Sequence, residues 1–377
     1  MAGIYLHIPF CRKACHYCDF HFSTSLDKRE QVLRMMHREL EQRSGFFTGT
    51  PVSSVYFGGG TPSLLSETEL RQLMELLRQH YSIERDAEVT LEANPDDLEP
   101  DYLDMLAHVG VNRLSIGVQS FRSEDLAAMN RAHSAEQALS CIANASRAGF
   151  SNISIDLMFG WPGLSMEAWK ENVKQALDLP ITHLSCYGLT VEERTALKRK
   201  ISSGEIQTPD DALAAEQYLW LLDAAEGSGI PWYEISNFCR EGYASRHNTS
   251  YWTSEPYLGI GPSAHSFNGL ERSWNVSSNT AYVQGWEQGL RAAETEAATE
   301  PERINEFILT GLRMRKGLDL SALLSAFGES VHEGVLQRAG EYIGSGVLLH
   351  YQSRLAFTTR GLLFADRITS ELFTDPV

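Results

Sequence analysis

The sequence of 377 residues holds no run of about 18 apolar residues, so a membrane-spanning helix is not expected. Its opening residues, Met1-Ala2-Gly3-Ile4-Tyr5, lack the basic segment and apolar stretch of a secretory leader, which argues against export. Positive charge is scarce: 32 Lys and Arg stand against 49 Asp and Glu, a net charge of −17. Nucleic acid is therefore not expected as a partner, because phosphate backbones are gripped by cationic surfaces. Cysteine is sparse as well, with six in the whole chain and no framework of regularly spaced pairs. That usage points to a reducing cytoplasm rather than a disulfide scaffold. No internal repeat is visible, and the one biased tract is the short Ala292-Ala293-Glu294-Thr295-Glu296.

What is present is ordinary globular composition, 43% hydrophobic and 21% charged, enough to bury a large core. The length suits two domains, or a barrel with an appendage.

Three of the six cysteines, Cys11, Cys15 and Cys18, are spaced C-x3-C-x2-C and followed by Asp19 and Phe20. Thiolates this close select zinc or an iron–sulfur cluster. A closed structural zinc site needs four ligands, and no second C-x2-C follows. A cubane cluster held by three thiolates keeps one iron open to another ligand. Cys141, Cys186 and Cys239 read as small buried apolar residues.

Up to about residue 190, six runs rich in Val, Ile and Leu alternate with amphipathic helical stretches. That pattern predicts a parallel sheet covered by helices, closed or open. Ser66 with Glu69 three residues on reads as a capping box, and Gly110 and Gly149 as helix-ending glycines. The stretch from Phe238 to about Ala293 reads as loop-rich. Beyond it, three helices and a hairpin resemble a winged-helix module. The expected domains are 1–237, a βα core; 238–295, a connecting region; and 296–377, a small C-terminal domain.

In a parallel βα sheet, ligands bind at the carboxyl ends of the strands. Those ends carry Gly58-Gly59-Gly60-Thr61-Pro62, then Glu92, then Gln119 with Arg131 twelve residues on, then Asp156, and last Ser185-Cys186-Tyr187. Each has a plainer alternative: a tight turn, a solvated or ion-paired carboxylate, a structural amide. With the cysteine loop that follows the first strand, six polar or glycine-rich ends on one face point together to a ligand pocket.

The cysteine spacing and the Gly-Gly-Gly-Thr-Pro word resemble the radical S-adenosylmethionine (SAM) superfamily. Narrower words are Tyr5-Leu6-His7-Ile8-Pro9-Phe10-Cys11, Glu92-Ala93-Asn94-Pro95, Gly117-Val118-Gln119-Ser120 and Asp156-Leu157-Met158-Phe159-Gly160. They resemble the branch that contains oxygen-independent coproporphyrinogen III dehydrogenases (HemN) and the HemW haem chaperones. The resemblance implies an α/β fold, a partial (β/α)6 TIM-like barrel with a small winged-helix-like α+β domain. It implies a [4Fe-4S] cluster on Cys11, Cys15 and Cys18, with SAM on the open iron, cleaved by one electron to methionine and a 5′-deoxyadenosyl radical. It places Tyr5 and Tyr17 near SAM, and Gly59, Gly60 and Thr61 at its methionine end or at a second SAM. Glu92 is implied as a SAM contact, and Gln119, Arg131 and Asp156 as lining paired SAM sites.

Within the branch, the dehydrogenases resemble C-x3-C-x2-C-x-C, whereas Phe20 stands at the fourth position here. Only ten residues precede Cys11, and Arg246-His247-Asn248-Thr249-Ser250-Tyr251-Trp252 matches the H-N-x-x-Y-W word of the chaperones. On the residues alone, a His among aromatic side chains is most simply a buried structural one. With the resemblance, His247 becomes the leading axial ligand for haem, since imidazole binds haem iron and flat rings stack on Tyr and Trp. His265 carries no assigned role. The reading is a cytoplasmic haem chaperone delivering haem to respiratory haemoproteins, with an electron donor for the cluster. Peripheral membrane contact, a homodimer and SAM turnover are left open. The alternative is oxidative decarboxylation of coproporphyrinogen III, and a third class is a structural zinc protein.

Overall fold

The computed structural model describes residues 2–47 and 49–374. Met1, Thr48 and residues 375–377, which fall inside the expected domain spans, lie outside the described residues.

Six βα units come first: β1 (Ala2–Ile8), α1 (Arg29–Gln42), β2 (Val52–Gly59), α2 (Glu67–His80), β3 (Ile83–Ala93), α3 (Pro100–Val109), β4 (Arg113–Gln119), α4 (Ser123–Ala128), α5 (Ala135–Arg147), β5 (Ile153–Phe159), α6 (Met166–Leu177) and β6 (His183–Gly188). All six strands pair in parallel with their sequence neighbours. Alternate residues of each strand face outward, for example Ile4 and Leu6, Val55 and Phe57, Leu114 and Ile116, Ile153 and Ile155. They are fully buried against the apolar stripes of the helices, such as Val32, Met36 and Leu40 of α1. The helix ends follow local chemistry. Ser66 and Glu69 close a capping box on α2, Pro100 opens α3, and Gly110 ends it at φ 103°.

The arc does not close on itself. It continues through α7 (Ala196–Ser202), α8 (Asp211–Gly227), β7 (Trp232–Glu234), β8 (Asn237–Cys239), α9 (Arg246–Trp252), β9 (Tyr257–Ile260), β10 (His265–Phe267), β11 (Glu271–Asn275), α10 (Asn279–Glu287) and β12 (Ala293–Ala297). The twelve-stranded sheet runs β12-β11-β10-β9-β1-β2-β3-β4-β5-β6-β8-β7. The stretch from Phe238 to about Ala293, expected to be loop-rich, thus carries β9, β10 and β11 and leads into β12, which extend the sheet beyond β1, with β9 parallel to it. These strands are three to five residues long, too short for a period, and glycines interrupt them. A side chain at Gly259 within β9 would collide with the backbone of His265, so the close approach of β10 requires glycine there. The Ala-Glu-Thr tract forms the edge strand β12, where exposed charges suit an unpaired edge.

The remainder is α11 (Glu300–Arg313), β13 (Leu318–Asp319), α12 (Leu320–Phe327), α13 (Glu329–Gly344), β14 (Leu348–Tyr351), β15 (Arg354–Phe357) and α14 (Ala365–Glu371). Its helices surround the small sheet β13-β15-β14, the winged-helix-like arrangement. The hairpin starts at Leu348, because α13 runs on through Gly344. Arg313 joins this unit to the barrel, its Nε 2.7 Å from the buried Glu234 carboxylate and its guanidinium 4.4 Å above the Trp252 ring. Among the described residues, no helix is long and apolar enough to cross a membrane.

Candidate cluster loop and barrel chamber

β1 delivers the chain through Pro9 and Phe10 into the cysteine loop. Backbone bonds hold that loop in place: Cys11 N–H donates to Ser23 O at 3.0 Å, His16 N–H to Met129 O at 3.0 Å, and Leu197 N–H to His16 O at 2.8 Å. Asn130 Nδ2 adds a bond to Ala14 O at 2.7 Å. The three thiols are free and partly exposed.

Two sulfurs receive donors from neighbouring strand ends. Thr61 Oγ1 donates to Cys11 Sγ at 3.3 Å, and Arg131 Nη1 to Cys15 Sγ at 3.2 Å. Arg131 Nη2 also donates to Asn94 Oδ1 at 2.7 Å and to Gly117 O at 2.6 Å. A Cβ on Gly117 would lie 3.2 Å from Arg131 Nη2 and 3.3 Å from Gln119 Nε2, so these two side chains meet over that glycine. Gln119 itself holds φ at 69° where β4 ends. Tyr17 sets its ring edge-on to Trp161 at 6.3 Å. The glycines of β2 permit close approach. A Cβ on Gly60 would lie 2.8 Å from Ile8 O and Phe10 N, and Gly59, at φ 104°, sits against the His7 ring.

Burial raises the Cys11 thiol above its ordinary value and pushes Cys18 up to about 11, while Thr61 and Arg131 oppose the shift at Cys11. Half-buried thiols that resist ionisation gain most from a positively charged metal centre. Among the described residues, no group of three or more His, Cys, Asp or Glu is gathered tightly enough to hold a single ion. Three cysteines on one loop would suit an iron–sulfur cluster, which thiolates select.

Beneath the loop, the inward residues of the strands enclose a chamber of about 210 Å³. Tyr5, Tyr56, Glu92, Arg113, Ser115, Asp156, His183, Ser185 and Tyr187 line its wall. Closed βα barrels fill this space with branched apolar side chains; here it is polar. Glu92 accepts from Tyr56 OH at 2.8 Å and from Gly59 N–H at 3.1 Å, which links the chamber to the glycine turn. Burial pushes the Glu92 carboxyl up to about 7 and Asp156 to about 6, against the hydrogen bonds and Arg113 that favour their charged forms. Arg113 is only 2% exposed and lies 4.0 Å from Glu88.

The floor of the chamber is α9. Glu88 holds its amino end, accepting from Ser245 Oγ at 3.2 Å, Arg246 N–H at 3.1 Å and His247 N–H at 3.2 Å. His247 is 2% exposed. Its Nδ1 meets Ser54 Oγ at 2.9 Å, its Nε2 meets Tyr251 OH at 3.0 Å, and its ring stacks on Tyr56 at 5.1 Å. Burial lowers its pKa to about 3, so the ring is neutral near pH 7. A Cβ on Gly3 would lie 2.9 Å from His247 Nδ1, which puts the ring at the amino end of β1. The cysteines leave the other end, about 20 Å away for a strand of this length.

The structure therefore brings Thr61, Arg131, Gly60 and Tyr17 to the cysteine loop, Gln119 to Arg131, and Tyr5, Glu92 and Asp156 to the chamber. His247 shares that chamber but stands apart from the cysteines, and in this conformation it offers no free ring nitrogen to an iron. Arg113, His183, Ser54 and Glu88 were not singled out from the sequence. Their signal was a polar residue at every second position of strands that are otherwise apolar.

A family profile described as the radical SAM superfamily matches residues 5–176, and one described as the HemN C-terminal domain matches residues 298–364. A heme chaperone HemW of Mycobacterium tuberculosis is 35% identical, covering 98% of this chain and 94% of its own length. The protein of that name in Bacillus subtilis is 34% identical over 98% of both chains. That of Escherichia coli is 32% identical over 98% of this chain and 97% of its own. The solved coproporphyrinogen III oxidase (HemN) of Escherichia coli, a radical SAM enzyme, superposes with a TM-score of 0.86 at 25% identity, covering 99% of this chain and 90% of that one. With a loop of three cysteines above a parallel βα arc and end-to-end relatives at this level, the chain belongs to the radical SAM superfamily and, within it, to the HemW family.

Proposed function

We propose that this protein is a haem chaperone of the HemW type, working in the cytoplasm, which binds haem and passes it to respiratory haemoproteins. The observation that carries the reading is the end-to-end match to proteins named for that role, at 32–35% identity and through the C-terminal unit. In this reading residues 1–237 are the barrel core, 238–295 carry the haem word, and 296–377 form the C-terminal domain.

Cys11, Cys15 and Cys18 would hold a [4Fe-4S] cluster whose open iron takes SAM, and the cluster, once bound and reduced by an electron donor, supplies single electrons to SAM. The chain's own residues do the rest. Arg131 and Thr61 offset thiolate charge through their bonds to sulfur. Gly59, Gly60 and Thr61 leave backbone exposed to the methionine end of SAM, and Tyr5 and Tyr17 pack beside it. Glu92, Gln119 and Asp156 supply acceptors for its amino and hydroxyl groups. His247 ligates haem iron once α9 yields it, because its neutral imidazole is a good ligand only when its Nε2 lone pair is free.

The test is transfer. Anaerobically reconstituted protein is loaded with haem, separated from free haem, and mixed with a haem-free respiratory haemoprotein. Appearance of the acceptor's haem spectrum supports the proposal, and haem that stays on the carrier under every redox state overturns it. The second reading, oxidative decarboxylation of coproporphyrinogen III, is favoured by the superposition on HemN. Protoporphyrinogen formed from coproporphyrinogen and SAM would decide for it.

A further inference from the structure

We propose that Asn94 is a positioning residue that aims two hydrogen-bond donors at the cysteine sulfurs and so sets the reduction potential of the bound cluster. The proposal rests on the three-thiolate cluster reading and is independent of haem carriage.

Asn94 follows β3 and precedes Pro95, which restricts it to extended backbone, here φ −85° and ψ 147°. Its N–H donates to Ser63 Oγ at 3.3 Å, and Ser63 Oγ donates to Asp97 at 2.6 Å. Asp97 in turn pairs with Arg12 inside the cysteine loop. The side chain of Asn94 is then fixed by two partners. Arg131 Nη2 reaches Asn94 Oδ1 at 2.7 Å, and a guanidinium can only donate, so the amide oxygen faces it. The amide nitrogen therefore faces Thr61, 3.5 Å from its Oγ1. With that nitrogen donating to it, the Thr61 hydroxyl turns its own proton to Cys11 Sγ at 3.3 Å. The other amino group of Arg131 reaches Cys15 Sγ at 3.2 Å. One amide thus orients a hydroxyl toward one sulfur and a guanidinium toward the next.

Reduction adds one electron to the cluster, with no bond made or broken and no proton moved. The added negative charge spreads onto the thiolates, where donors to sulfur and a nearby cation stabilise it. Both donors therefore favour the reduced form and raise the potential. The Phe20 backbone N–H bonds to Cys18 in the same way, and side-chain substitution leaves that bond in place.

The test uses the full chain reconstituted with iron and sulfide, without SAM, so that a lost SAM contact cannot move the result. The reduced cluster is followed by electron paramagnetic resonance while dithionite and mediators set the solution potential. Thr61→Val removes one donor, Thr61→Ser keeps it, and Asn94→Leu leaves both donors present but unaimed without adding charge. At the potential where the wild type is half reduced, Thr61→Val and Asn94→Leu should each show at least threefold less reduced relative to oxidised cluster. Thr61→Ser should match the wild type, and Asn94→Leu should have a smaller effect in the Thr61→Val background than alone. Wild-type potentials in Thr61→Val and Asn94→Leu, at wild-type iron content, overturn the proposal. So does loss of the cluster from both, which would mean that these residues only hold it. Effects that multiply in full in the double variant overturn the part given to Asn94. A wild-type chain that takes up no cluster overturns the cluster reading itself.

Discussion

Tyr251→Phe isolates the step that unmasks His247. The substitution keeps the ring against Tyr257 and deletes only the hydroxyl that meets His247 Nε2 at 3.0 Å. With Tyr251 donating, the imidazole proton sits on Nδ1, toward Ser54 Oγ at 2.9 Å. Removing the donor leaves a buried acceptor unpaired, which costs about 1–3 kcal/mol. That penalty falls only on the closed arrangement, in which His247 is 2% exposed; once the ring has turned toward an iron, the hydroxyl is irrelevant. The closed-to-open equilibrium therefore shifts by the same amount. At about 1.4 kcal/mol per factor of ten, apparent haem affinity rises roughly 5- to 140-fold. The assay is an anaerobic haem titration followed in the Soret region, with stopped-flow mixing for the association rate. Affinity that is unchanged or weaker in Tyr251→Phe, in a protein that melts normally, refutes the masking argument.

Three further outcomes follow from the same chamber. Glu88→Gln weakens the three bonds that anchor α9 and leaves Arg113 without its carboxylate at 4.0 Å. It should lower stability by about 3–5 kcal/mol in chemical denaturation and speed deuterium exchange across residues 245–252. Glu92, raised to about 7 from its ordinary 4.5, contributes stability that is complete below pH 4.5 and lost as pH rises through 7. The cofactor-free protein should therefore show a fall in melting temperature between pH 5 and 8 that is shallower in Glu92→Gln. Last, Tyr5, Glu92 and Asp156 share one cavity with His247 and Tyr251. Releasing His247 to haem disturbs the floor under SAM, so saturating SAM should weaken haem binding several-fold and haem should weaken SAM by the same factor. Equal haem affinity with and without SAM counts against this coupling.

Much of the fold was written in periodicity, because each outward strand face is apolar and each covering helix has a matching stripe. The polar inward face was equally visible at Tyr56, Glu92, Ser115, Asp156 and Ser185, but it means a chamber only once the strands are known to curve around it. The cysteine loop was legible by spacing, since three thiols in one loop have few chemical uses. The donors to those sulfurs were not, because Arg131 reaches Cys15 across 116 residues of chain. The region after residue 238 was misread because strands of three to five residues broken by glycine carry no period. His247 shows the limit of a motif. Its neighbours in sequence gave a ligand class, while its neighbours in space, Ser54 and Glu88, hold it buried and bonded.

That this chain carries haem through His247 is tested by the Soret spectrum and affinity of haem bound by wild-type protein and by His247→Ala, each folded and reconstituted with iron. The wild type should form a stoichiometric complex, and the variant should show a shifted band with at least tenfold weaker binding. No haem complex in the wild type, or the same band and affinity in both proteins, would contradict it.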